Sequence, residues 1–99
     1  MKVIKEYVDA IDEELHDAKK YAEKYVECKA KGNMQAATKY KEMSNDELKH
    51  AEFLHEWAVQ EIQQIAKVFV APAHMQETWD KAHKEYVEKA AWIRQMLAM

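Results

Sequence analysis

The sequence predicts an all-α fold, an antiparallel helical hairpin followed by a third helix, in a single domain spanning residues 1–99. Three observations predict it. The chain holds one Gly and one Pro, too few for the corners of a sandwich or barrel or for the phosphate loop of a doubly wound sheet. Ala, Glu, Lys, Met and Leu, which lose little side-chain freedom in a helix, outweigh the β-branched residues. Apolar residues recur at three- and four-residue intervals rather than alternating.

The first helix, about residues 3–30, places Ile4, Tyr7, Val8, Ile11, Leu15, Ala18, Tyr21, Ala22 and Tyr25 on one face, with Glu6, Asp9, Glu13, Lys20 and Lys24 opposite. Gly32 suits the left-handed residue that ends a helix, and the Asn33 side chain can cap the next. The second helix, about 34–69, buries Ala36, Tyr40, Met43, Ala51, Leu54, Ala58, Ile62 and Ile65. Ser44 and Glu47 have capping-box spacing, but the apolar rhythm runs through them, which makes them helix interior. Ala71-Pro72-Ala73 ends this helix, because the residue before a proline is pushed out of the helical region. The third helix, about 75–97, sets Met75, Trp79, Ala82, Tyr86, Ala90 and Ile93 on one side; Trp79 and Trp92 point to different sides of it, which leaves one of the two for a subunit contact.

Charge and cysteine content narrow the function classes. Fifteen Lys and Arg against 18 Asp and Glu, interleaved to a net charge of -3, leave no basic block for nucleic acid or an anionic membrane. No apolar run nears the roughly 20 residues that span a bilayer. Cys28 stands alone, so it cannot form an internal disulfide and reads as an incidental thiol. Glu6 and Asp9 occupy the stretch where a secretory signal needs an apolar core. The expectation is a cytoplasmic chain with a modest core, for which self-association is a natural way to cover leftover apolar surface.

Acid-x-x-His occurs at Glu13/His16, Glu47/His50, Glu52/His55 and Asp80/His83, and position on the helix decides among them. At about 100° per residue, Glu47 falls near the centre of the second helix's apolar face and His50 about 60° to one side. Glu13 and His16 point away from their stripe, and Glu52 faces outward with His55 on the flank, which reads both pairs as solvated. Glu14, between Ile11 and Leu15, is the matching intruder on the first helix. In a hairpin folded at Gly32, Glu14 and His50 stand about 18 residues from the turn, and Glu47 lies within one helical turn of that level. Ionised carboxylates inside a core need partners. One chain supplies two carboxylates and one imidazole, too few for a two-metal centre, but twofold pairing doubles the set to four Glu and two His, the count of a carboxylate-bridged bundle. Such oxygen donors with imidazole suit Fe or Mn, and Zn also fits.

These residues resemble the ferritin-like superfamily, above all rubrerythrin-like chains and the small encapsulated ferritins. The resemblance covers Ile11 to about Trp57: Glu13-Glu14-Leu15 with Tyr21 seven residues after Glu14, then Asp46-Glu47-Leu48-Lys49-His50-Ala51. It implies a half-ferritin whose hairpins pair by dimerisation into a four-helix bundle core. It further implies two Fe per dimer, Glu47 as the bridging ligand, Glu14 and His50 as terminal ligands, Tyr21 in the surrounding shell, and a possible ferroxidase activity with O2 or peroxide as oxidant. Encapsulated ferritins enter an encapsulin shell by a C-terminal tail, which is not seen after Leu97. The rubredoxin-like Cys-x-x-Cys module of rubrerythrins is also missing, which points away from peroxide reduction.

Three alternatives stay open at this stage. The same residues could bind metal without catalysis. A buried polar network could replace the metal, with His50 and a lysine satisfying the carboxylates. The chain could also be a metal-free helical interaction protein whose inward charges select its partner. Tyr21, Tyr25 and Tyr40 read as core aromatics, and Met43 as packing. Glu61 lies about 21 Å along the helix from Glu47, too far to join it, but would hydrogen-bond His83 if the third helix folded back on the second.

Overall fold

The computed structural model describes residues 2–68 and 73–99. Three α-helices account for nearly all of them: α1 (Lys2–Ala30), α2 (Met34–Val68) and α3 (Ala73–Leu97). The helix end expected at Ala71-Pro72 lies outside the described residues.

The hairpin turn follows from Gly32 and Asn33. Gly32 adopts φ 80°, the left-handed conformation that a glycine enters without steric cost. Its N–H donates to the Lys29 carbonyl and the Asn33 N–H to the Cys28 carbonyl, so the last carbonyls of α1 are satisfied in a Schellman arrangement. Asn33 Oδ1 then accepts the Ala36 N–H at 3.2 Å and caps α2.

Small residues let α1 and α2 approach closely. Ala18, Ala22, Ala37, Ser44, Ala51 and Ala58 are fully buried, with Ile11, Leu15, Tyr25 and Leu48 beside them. The Ser44 hydroxyl donates to the Ala18 carbonyl at 2.7 Å across this seam. That bond supports reading Ser44 as helix interior and ties one register of the hairpin to another.

The buried face of α2 is turned from the expected one. Ala37, Ser44 and Leu48 are inside, Ala36, Tyr40, Leu54, Ile62 and Ile65 are half-buried, and Met43 is 40% exposed. The apolar stripe of α2 is wider than the contact with α1 needs, so its centre lies at the edge of the seam rather than in it.

α3 runs parallel to α1 and packs mainly against it. Met75 and Trp79 are buried at one end, as Ile4 is on α1, and Lys29 reaches the Met99 carbonyl at the other. Three unbroken helices side by side make an elongated body of 55 × 17 × 17 Å. Among the described residues, no helix is long and apolar enough to cross a membrane.

Candidate metal centre

Glu14 on α1 and Glu47 and His50 on α2 converge. One ligand atom from each lies within 4.8 Å of the others. His50 Nδ1 is 3.5 Å from Glu14 Oε2 and 3.7 Å from Glu47 Oε1. The hairpin geometry explains the meeting: Glu47 and His50 are one turn apart on α2, and the antiparallel partner helix presents Glu14 at the same height.

The carboxylates are largely sheltered, with side-chain exposures of 26% for Glu14 and 22% for Glu47, whereas His50 at 54% closes the solvent side. Facing Glu14 has a chemical consequence. A hydrogen bond to the Glu14 carboxylate, then burial, then repulsion from the Glu14 charge push the Glu47 carboxyl up to about 7. His50 opposes this rise, and Asp17, one turn along α1, adds to it. Glu14 Oε2 is buried without a hydrogen-bond partner. Two crowded carboxylates, one orphaned buried oxygen and a neighbouring imidazole fit a divalent cation, which satisfies the lone pairs and cancels the repulsion together.

The cluster sits on the flank of the hairpin away from α3. Asp12, Lys19 and Val26 line the clefts that α1 shares with α3. Around α1, Glu14 is about 160° from Asp12. Val3, Tyr7, Ala10, Asp17 and Tyr21 share its half-buried flank. On α2, Met43 and Trp57, the latter 55% exposed, continue this face.

The remaining expected residues disperse. Tyr21 lies on the same half-buried flank of α1 as Glu14, and its ring stacks on Tyr40 with centroids 6.3 Å apart. Glu13 and His16 are exposed, as expected, and line a cleft between α1 and α3 with Trp92. No lysine serves the carboxylates: among the described residues, the ion pairs of Glu14 and Glu47 run to His50 alone. His83 pairs with His55 rather than with Glu61, because α3 packs on the α1 side of the hairpin, and Asp80 bonds Gln76. Glu52 is exposed, as expected, and its carboxylate accepts from Arg94 on α3 at 2.7 Å.

Sequence reasoning missed Asp17 and the His55–His83 pair. Asp17 carried a signal, its i+3 spacing from Glu14. The histidine pair carried none until α3 was placed. Comparison with protein-family models, curated proteins and solved structures finds no match to this chain.

Proposed function

We propose that this chain is a half-ferritin: two hairpins pair across the uncovered face into a four-helix bundle core that binds two iron ions and oxidises Fe(II). One observation carries the reading. Glu14, Glu47 and His50 converge on the side of the hairpin that α3 leaves open, with a buried Glu14 oxygen that has no hydrogen-bond partner. A second copy laid on that face would bring the ligand count to four Glu and two His and would cover Met43 and Trp57.

Glu14 and Glu47 would hold iron through oxygen and His50 through nitrogen, with Glu47 bridging as the ferritin resemblance implies. Bound iron supplies the one-electron step from Fe(II) to Fe(III), with O2 or peroxide as the electron acceptor. The chain's own part is to hold two acids against each other, so that a cation is favoured over two free charges, and to shelter them from bulk water. A proton held by Glu47 near neutral pH must leave before that carboxylate can ligate.

The deciding experiment compares the parent chain with Glu47→Ala for iron content and for Fe(II) oxidation over buffer. Loss of both, with helicity retained, is the expected result; full iron loading in the variant overturns the assignment. Loading without accelerated oxidation leaves a metal-binding protein that does not catalyse.

The raised Glu47 value favours one other reading. A proton shared between Glu14 and Glu47 lets the pair exist without metal, as in a helical interaction protein. In that case chelation leaves the assembly and its melting temperature unchanged.

A further inference from the structure

A second convergence of ligand-type side chains lies where α3 meets the hairpin. His55 of α2 and His83 of α3 bring Nε2 and Nδ1 to 2.7 Å, with ring centroids 4.9 Å apart. Trp79 and Tyr86 brace the His55 ring at centroid distances of 5.3 and 4.7 Å. Beside the pair is a cavity of about 10 Å³ that Asp12 of α1 also lines. This is room for about one water molecule or one ion. His55 and His83 thus meet directly, and Asp12 lines the same small space with its carboxylate short of the pair.

The chemistry of the donors selects the ligand. Two imidazoles with a carboxylate suit zinc and its neighbours rather than calcium or magnesium. An ion about 2.0–2.1 Å from one nitrogen of each ring places the ring centroids roughly 4.5–5.2 Å apart, between right-angle and tetrahedral coordination. The observed separation lies in that interval, so each ring needs to turn but not to travel. The Asp12 carboxylate is 3.9 Å from the Lys89 ammonium in an exposed pair of little worth, and can turn toward an ion.

We propose that Asp12, His55 and His83 form a second divalent-cation site, taking Zn2+, that clamps α3 to the hairpin. Among the described residues, the side-chain polar contacts between α3 and α2 are His55–His83 and Glu52–Arg94. An ion bound to all three helices therefore stiffens the junction that direct packing secures least. The first site shares no ligand with this one, so the two proposals stand or fall separately.

The test removes the first site with a Glu14→Gln/Glu47→Gln/His50→Gln variant and titrates it with ZnCl2 by calorimetry and thermal melting. One Zn2+ per chain and a raised Tm are expected. Adding His83→Gln lowers the affinity at least tenfold and abolishes the Tm shift, while adding Asp12→Asn weakens binding by a smaller factor. Zinc affinity unchanged by His83→Gln overturns the site. Loading the triple variant with Cu2+ gives a readout that needs no further substitution: electron spin resonance shows two imidazole nitrogens on the ion, and fewer than two overturns the proposal. Should the triple variant not fold, zinc stoichiometry is compared between the parent chain and its His83→Gln variant. A difference of one ion per chain supports the site, and equal stoichiometry refutes it.

Discussion

Glu47 and His55 are titratable side chains partly withdrawn from water, and their protonation leaves a mark on stability. Glu47 has its folded-state value raised from 4.5 to about 7, so the folded chain holds that proton more tightly than the unfolded one. Its stabilising contribution is fully present below 4.5 and is lost as pH rises through about 7. His55 has its value lowered from 6.5, first by burial. Its contribution is fully present above 6.5 and is lost as pH falls through the folded value. In chelator, urea unfolding across pH 4 to 8 should show both losses, that of Glu47 up to about 3 kcal/mol. Glu47→Gln should erase the first and His55→Gln the second; slopes that survive both substitutions would assign the effect elsewhere. The Glu14, Glu47 and His50 cluster was legible because helical spacing and distance from Gly32 are both countable along a chain. The partnership of His55 with His83 was not, because it depends on where α3 lies, and no spacing records that.

The helices themselves were readable nearly to their ends, since Gly32 and Asn33 carry backbone instructions that neighbouring packing does not override. The orientation of α2 was less legible. A helix that contacts α1 on one side and leaves Met43 and Trp57 bare on the next has an apolar sector too wide for its centre to mark one interface. Two substitutions test how the hairpin is set. At Gly32 a Cβ meets nothing within 4 Å, so Gly32→Ala costs only the left-handed conformation, about 1 kcal/mol. Ser44→Ala removes the hydroxyl bond to Ala18 and should cost about 1 kcal/mol. Chemical denaturation measures both. A larger loss for Gly32→Ala would mean that the turn is held by more than its backbone angle.

At the scale of the whole molecule, the governing fact is that three helices cover a seam but not every face. α3 takes one side of the hairpin, and the opposite side keeps half-buried Tyr7, Tyr21 and Leu54 next to exposed Met43, Trp57 and the acidic cluster. In the half-ferritin reading this face closes on its symmetry mate with two cations between, so metal and assembly are one equilibrium. At a free metal concentration about 100-fold above its dissociation constant, each ion contributes about 2.7 kcal/mol, and two weaken the dimer by roughly 10⁴-fold when removed. Sedimentation at micromolar chain should then show dimer with metal and monomer with chelator, both fully helical. Trp57→Glu, which puts a charge on the face without touching Glu14, Glu47 or His50, should give monomer in both conditions. A dimer indifferent to chelator but broken by Trp57→Glu would keep the interface and remove the cation from it, leaving the proton between Glu14 and Glu47 to neutralise the pair.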